Sequence, residues 1–315
     1  MFNESVYEVN PVWLRRNCPI CGSTKILAKP SSVARKPAEK MNWDEAKSYF
    51  IGLRNDQVFF SYFRCHECEL LYCPWYFTKE QIALLYSEMP DNTMGEDKST
   101  VSKTQSAYAK WILQDGVKTD AYLEVGPDIG LVSKQIVALN IPKRISFVEP
   151  NISVRKELLA SASGVGSVEV VDFIGSLQNT EFTLVIGVHV FDHLLDPIQD
   201  LKNISARSAA GAHLSIVVHN EKSMLRKTLN ANWPPFCLQH PQLFNPKTLG
   251  TLLEKSGWSV QKVKKSTNWY HLRYFVAMSF SVFGKRDFVS QYLPDIEFPI
   301  RLGNLICLAD KKDSI

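Results

Sequence analysis

From residue 121 onward the chain alternates short apolar runs with stretches of helical periodicity, and few folds accept that rhythm. Ala121–Val125, Arg144–Val148, Val168–Val171, Phe182–Ile186 and Ala212–Val218 read as strands. Leu131–Leu139, Ser153–Ala162 and Leu194–Ser205 read as helices between them. Strands alternating with helices at this spacing imply an α/β fold, a doubly wound and mostly parallel sheet with helices on both faces. A final strand, Leu305–Ala309, is expected to join antiparallel, after an apolar and aromatic helical insertion at His271–Phe283. Ligands in such sheets bind at the carboxyl ends of the strands, near the point where strand order reverses. The residues just after each strand therefore carry the functional reading.

The first quarter of the chain obeys a different logic. Cys18-Pro19-Ile20-Cys21 and Cys65-His66-Glu67-Cys68 each offer two thiolates to one metal. Together Cys18, Cys21, Cys65 and Cys68 supply the four sulfurs of a tetrahedral zinc site. Two disulfides or four buried thiols are the alternatives. Four protein ligands leave no open position, so the zinc is expected to be structural, in a ribbon-like module. The long gap between the pairs predicts an inserted helix, with Asn42 as N-cap, Glu45 completing a capping box, and apolar residues on to Leu53. Gln57–Arg64 predicts a strand into the second knuckle. Thr78 and Gln81 form a second capping box. The expected organisation is a zinc module over 10–76, a helix and linker over 77–104, and the α/β domain over 105–315.

Composition narrows the setting. The chain has 315 residues, 45% hydrophobic, and a formal net charge of +4 with both signs interspersed. That supports a large core and does not demand a nucleic-acid partner. No basic-then-apolar leader is visible over Met1–Tyr7, and no apolar run is long enough to span a bilayer. Seven cysteines, an odd number, are expected in a reducing, cytoplasmic setting. Cys73, Cys237 and Cys307 read as small buried residues.

The first strand runs into Gly126-Pro127-Asp128-Ile129-Gly130. A dinucleotide site wants three glycines there, so that the backbone can approach a pyrophosphate. A carboxylate at position 128 opposes a pyrophosphate and favours a cofactor bearing positive charge, such as S-adenosylmethionine. Glu149 ends the second strand where an acid can accept from both ribose hydroxyls. Asp172 ends the third, placed to accept from an adenine amino group, with Phe173 offering an apolar face.

With these residues in order, the chain resembles class I S-adenosylmethionine-dependent methyltransferases from roughly Leu123 to Val260. Glu124-Val125-Gly126-Pro127-Asp128-Ile129-Gly130 is similar to that family's acidic glycine turn, with Asp128 in place of its middle glycine. Val188-His189-Val190-Phe191-Asp192-His193-Leu194-Leu195-Asp196-Pro197 is similar to its stretch after the fourth strand. Phe244–Leu249 and Leu252–Trp258 resemble its late helix and following turn. The resemblance implies Glu124, Gly126, Asp128, Gly130, Glu149, Asp172, Phe173, Gly187 and His189 as cofactor contacts. Read with the cysteine module, the chain looks like methyltransferases of sugar and polysaccharide biosynthesis, including zinc-containing deoxysugar C-methyltransferases. Those carry a Tyr-x-Glu-His segment with the catalytic base; here it reads Cys237-Leu238-Gln239-His240. The histidine is kept and the other two are not, which leaves O- or N-methylation open.

Methyl transfer needs an aligned acceptor and, for a hydroxyl or ammonium, a base. His189, His193, His219 and His240 fall near strand ends or in following loops, with His240 the first expectation for the base and His193 the second. Trp233–Phe236 either walls an acceptor pocket or packs on the core. The expected acceptor is a small molecule, a sugar or nucleotide-linked sugar. The competing readings are a zinc-containing RNA methyltransferase gripping RNA through Arg15, Arg16, Lys25, Lys29, Arg35, Lys36 and Lys40, and a cofactor-binding protein without catalysis. The oligomeric state is not legible.

Overall fold

Seven strands of the expected rhythm assemble into one sheet. They are β1 (Ala121–Val125), β2 (Arg144–Val148), β3 (Ser167–Val171), β4 (Phe182–Val188), β5 (Ser208–His219), β6 (Trp258–Lys265) and β7 (Asn304–Lys311). This computed structural model describes residues 9–50, 57–89, 98–282 and 284–312. Strand order is β3-β2-β1-β4-β5-β7-β6. Neighbours from β3 to β5 are parallel, whereas β7 is antiparallel to both β5 and β6. The order reverses at β1, which has β2 on one side and β4 on the other. The carboxyl ends of β1 to β5 share one edge, and antiparallel pairing brings Asn304, the first residue of β7, opposite His219 on that edge.

The helices begin where their sequences provide caps. In α1 (Lys79–Ser87), Thr78 and Gln81 form the reciprocal capping box. The helix α5 (Pro197–Ala206) starts with Asp196 accepting from the Gln199 amide and with Pro197 in the first turn. Between them lie α2 (Lys98–Ile112), α3 (Leu131–Leu139) and α4 (Arg155–Ser161). The insertion after the first cysteine pair is a shorter helix than expected, Trp43–Ser48, capped by Asn42, whose Oδ1 accepts from the Glu45 amide at 2.9 Å. The expected continuation to Leu53 lies partly outside the described residues.

Alternation along the strands gives the sheet two apolar faces. Tyr122, Ile145, Phe147, Leu184 and Ile186 pack with Tyr108, Ile112, Val132, Ile136 and Leu158 of α2, α3 and α4. Leu123, Val125, Val185, Leu214 and Ile216 point the other way, into a second core. That core continues without a break into the N-terminal module, through Trp13, Phe60, Tyr62, Phe77 and Phe236. The rings meet edge to face, with Trp13 to Phe60 at 5.2 Å and Phe60 to Phe77 at 5.1 Å. Full burial of each such side chain is worth about 1.5–3 kcal/mol, so the module and the sheet stabilise one another.

Backbone pairing reinforces this union. Phe63–Arg64 and Leu71–Tyr72 form two strands of the module, and the third strand beside them is Gln242–Leu243, contributed by the distant half of the chain. The amide of Cys73 donates to the Pro241 carbonyl at 2.8 Å, and Gln239 Nε2 to the Phe50 carbonyl at 3.1 Å. Arg64 grips Glu221 with two nitrogens, each at 3.1 Å. The expected linker is corrected in part. Residues 98–104 are the first turns of α2, which runs across position 105, and residues 90–97 lie outside the described residues. Before the late helix, Leu272–Val282, the strand Asn268–His271 pairs with Glu297–Ile300, a ribbon that the sequence reading did not contain.

Candidate functional site

The loop after β1 keeps a glycine-like shape at its substituted position. Asp128 adopts φ +53°, the left-handed region that Asp tolerates better than most residues. Its amide donates to Glu149 Oε2 at 3.0 Å, while the Asn151 amide donates to Glu149 Oε1 at 2.8 Å. Glu149 is buried and braces the loops after β1 and β2 against each other. Burial raises its pKa, and the two amides work against the rise. Gly126 closes β1, its amide bonded to the Val148 carbonyl at 2.9 Å.

Further along the edge, Asp172 is paired with Arg155, and Phe173 beside it is 63% exposed. Ile152, after the neighbouring strand, is 70% exposed. Large apolar side chains left open beside a buried carboxylate fit the nucleoside end of S-adenosylmethionine, whose flat base needs apolar faces and whose ribose needs acceptors.

Three expected contacts have other work. Glu124 is buried, and its Oε2 accepts from Tyr122 Oη at 2.6 Å and from Ser133 Oγ, so it joins β1 to α3 rather than facing the edge. Burial pushes its pKa up to about 7, against those two bonds. Gly130 precedes α3 with φ +75°, and a Cβ there would stand 2.1 Å from Ser161 Oγ, so a glycine is needed for α3 to approach α4. At Gly187 a Cβ would stand 2.4 Å from the Phe191 ring, so this glycine lets the loop after β4 fold back over its own strand.

That returning loop builds a histidine cluster. His189, with φ +53°, leaves β4; Asp192 and His193 follow; His219 ends β5; His240 comes from the loop held by the N-terminal module. Asp192 Oδ2 accepts from His219 Nδ1 at 2.6 Å. The Nε2 atoms of His193 and His240 lie 3.0 Å apart. Behind them, His193 Nδ1 meets Tyr86 Oη at 2.8 Å and His240 Nδ1 meets the Pro235 carbonyl at 2.7 Å. The His219 ring lies 4.5 Å from that of His189 and 4.8 Å from that of His240. His189 Nε2 contacts Asn304 Nδ2 at 3.3 Å. Asp192 is fully buried, and its Oδ1 has no hydrogen-bond partner among the described residues, nor has His189 Nδ1.

Electrostatics separates these groups. Burial works to raise the Asp192 pKa, but His219 and the other imidazoles hold it well below the usual carboxylate range. Burial, with the neighbouring imidazoles, pushes His193 far down and His189 down to about 3. His219 is lowered by burial against the pull of Asp192. At His240 burial also opposes charge. There Cys237, whose Sγ lies 3.3 Å from Nδ1, outweighs it together with Asp192 and the Pro235 carbonyl, raising the pKa to about 9.

The four cysteines converge. Cys18 Sγ lies 3.4 Å from Cys68 Sγ, Cys21 Sγ lies 3.5 Å from Cys65 Sγ, and all four sulfurs are within 4.8 Å of one another. A disulfide would bring its two sulfurs to about 2.05 Å. Thiolates about 2.3 Å from one zinc stand about 3.8 Å apart, so the set fits a tetrahedral ion. The knuckles are alike: the Gly22 amide returns to the Cys18 carbonyl at 2.9 Å and the Glu69 amide to the Cys65 carbonyl at 3.1 Å.

Outside the cluster, further described side chains are taken up in ion pairs and packing. His213 pairs with Asp310 in the sheet, and His271 with Asp295. Trp233 and Phe236 are buried, with Phe236 stacked on Phe59 at 5.3 Å, yet the Trp233 ring also stands 6.3 Å from His219. In the expected basic strip Arg16 is buried and donates to the Leu195 carbonyl at 2.9 Å, so it cannot grip a nucleic acid. Tyr86 and Cys237 are members of the cluster that sequence reasoning missed. An open depression lined by Lys110, Thr119, Asp120 and Asn140 lies at the opposite edge of the sheet and collects none of these groups.

A family model described as a methyltransferase domain matches residues 101–263, just over half the chain. No curated protein matches. Among solved structures, a chain from the Haloferax volcanii complex of the Trm112 methyltransferase activator with a protein designated a methyltransferase aligns with a TM-score of 0.51. It is 11% identical, and the match covers 69% of this chain and 93% of that one. Synechocystis PCC 6803 magnesium protoporphyrin IX methyltransferase, with bound SAH, aligns at 0.45 with 10% identity, covering 75% and 88%. A Thermotoga maritima protein described as a possible histamine N-methyltransferase aligns at 0.44 with 17% identity, covering 68% and 90%. Among the described residues no helix is long and apolar enough to cross a membrane.

Proposed function

Because the chain belongs to the methyltransferase-domain family and is an S-adenosylmethionine-dependent methyltransferase, we propose that it methylates a small hydroxylated acceptor, a sugar or nucleotide-linked sugar. When bound, S-adenosylmethionine supplies an electrophilic methyl group on a sulfonium. In this reading Glu149 holds the ribose, Phe173 and Ile152 flank the base, and the turn from Gly126 to Asp128 lies beneath the cofactor. Gly187 and His189 shape the loop that faces it. The four cysteines hold a structural zinc.

Acceptor activation is assigned to the histidine cluster, and one observation carries that assignment: Asp192 Oδ2 and His219 Nδ1 are 2.6 Å apart at the carboxyl edge of the sheet. A carboxylate on one ring nitrogen fixes the tautomer and leaves the other to take a proton. His219 Nε2 has no hydrogen bond to protein among the described residues. His240 and His193 were the first expectations for the base. Their Nε2 atoms face each other and both Nδ1 atoms are engaged, so in this reading they act as a pair beside His219.

The test is a screen of sugar nucleotides and free sugars for methylated product, followed by His219→Gln on the acceptor found. Cofactor affinity should hold while turnover falls by about two to four orders of magnitude, the usual contribution of a general base. Unchanged turnover would remove His219 from the role. Methylation of RNA, with no product from any sugar, would overturn the acceptor class.

A further inference from the structure

We propose that His193, His240 and Asp192 form a site for a divalent first-row transition metal, with an acceptor oxygen as its further ligand. This rests on the reading that the acceptor is activated at the cluster. The donors are His193 Nε2 and His240 Nε2, 3.0 Å apart, and Asp192 Oδ1, 4.0 Å from His193 Nε2. Donors held about 2.1 Å from one metal stand about 3.0–3.4 Å apart, so the two imidazoles are already at coordination spacing. All three donors lie within 4.8 Å of one another, and the carboxylate has to close on the imidazoles to share one ion with them.

Two features distinguish this arrangement from an ordinary hydrogen-bonded pair. The first is the unpartnered Asp192 Oδ1 in a side chain with no solvent exposure. A buried carboxylate oxygen without a partner is destabilising, and a cation at this point satisfies it. The second is that every ligand is held from behind. His240 Nδ1 has the Pro235 carbonyl, His193 Nδ1 has Tyr86 Oη, and Asp192 Oδ2 has His219 Nδ1. Such outer partners fix the tautomer and orientation of metal ligands.

The other possible triad, His189, Asp192 and His219, is weaker. Its closest contact, 2.6 Å between Asp192 Oδ2 and His219 Nδ1, is a hydrogen bond and too short for two donors on one ion. His219 therefore belongs to the outer shell. Two imidazoles and one carboxylate suit first-row ions such as Zn2+, Fe2+, Co2+ or Ni2+, whereas Mg2+ and Ca2+ prefer all-oxygen sets. Three protein donors leave open positions, unlike the closed four-cysteine set, and a hydroxylated acceptor supplies oxygens to fill them.

The experiment uses the whole chain and the metals alone. After loading with Zn2+ and removal of free metal, elemental analysis should give two ions per chain, one for the cysteines and one for this site. Loading with Co2+ should give thiolate charge-transfer bands from the first site and weaker visible bands, lacking sulfur character, from the second. His193→Ala and His240→Ala should each reduce the count to one and abolish only the second set of bands. A wild-type chain that holds a single ion, bound through thiolates alone, overturns the proposal without recourse to any variant. Full loading retained in both variants does the same. One ion with sugar methylation intact would leave the proposed function standing. Two ions with no sugar methylated would leave the metal site standing and remove the acceptor class.

Discussion

The hydroxyl of Tyr62 donates to the backbone carbonyl of His240 at 2.6 Å, so a buried residue of the N-terminal module holds the loop that completes the histidine cluster. Tyr76, from the same module, does likewise for the Leu238 carbonyl. The module thus contributes to the geometry of the site without supplying a group to its chemistry.

Tyr62→Phe should separate that positioning from the rest. The ring stays packed, and the His240 carbonyl keeps only a distant contact with Cys73 Sγ at 3.9 Å. The expected loss is about 1–3 kcal/mol of stability, read from the urea midpoint. Turnover should fall while S-adenosylmethionine affinity, measured by calorimetry, is unchanged. A variant with wild-type stability and turnover would show that the loop is held by other contacts.

Cys68→Ser should abolish zinc binding at the proposed four-cysteine site and lower the melting point of the entire chain. The aromatic core of the module runs directly into the sheet, so a single cooperative transition is expected to move. Calorimetric scans would check this. Two separate transitions, with the sheet melting at its wild-type temperature, would contradict the continuity of the core.

Glu149→Ala removes the acceptor of two backbone amides together with the proposed ribose contact. Hydrogen bonds to charged groups contribute about 1.5–3 kcal/mol, so S-adenosylmethionine affinity should fall by about 10- to 100-fold. Titration calorimetry reads it directly, and NAD should show no heat with either protein.

Glu124 offers a pH test at the contact between β1 and α3. Its folded-state pKa, about 7, lies above the ordinary value of 4.5, so the fold favours the neutral acid. The stability this group contributes is complete below the unfolded pKa and is lost as pH rises through about 7. Comparison with Glu124→Gln, which cannot titrate, isolates it. The wild type should lose about 3 kcal/mol relative to the variant between pH 4.5 and pH 8, most of it above pH 5. Denaturant unfolding across this range checks the sign; a difference that grows in favour of the wild type would reverse it.

The sheet was legible because each strand is a short apolar run bounded by turns, a local signal. The two cysteine pairs were legible because spacing within each pair reports a knuckle. What was missed depends on contacts between distant positions. Gln242–Leu243 is too short to read as a strand until Leu71–Tyr72 is seen beside it. The ribbon containing Glu297–Ile300 carries Pro299 in its middle, which argues against a strand until its partner Asn268–His271 is seen. Cys237 read as a small apolar residue, yet it lies 3.3 Å from His240 Nδ1. Asp192 read only as a motif position. Its place at the centre of the cluster depends on β5 and on the loop carrying His240, neither of which is near it in sequence. Asp128, a departure from the family's glycine by type, keeps the glycine conformation, which only backbone angles reveal.

The pairing of Tyr72 with Gln242 also sets an order of events on the ribosome. Synthesis delivers the cysteine knuckles first, and they can capture metal early. The sheet they belong to lacks its third strand until residue 243 has emerged. During that interval the edge of Leu71–Tyr72 is unpaired and the rings of Phe59 and Tyr62 have no cover from Phe236. Such an edge is open to mispairing with other nascent chains. Folding of this protein should therefore be limited by a long-range closure late in translation rather than by the cysteine knuckles at its beginning.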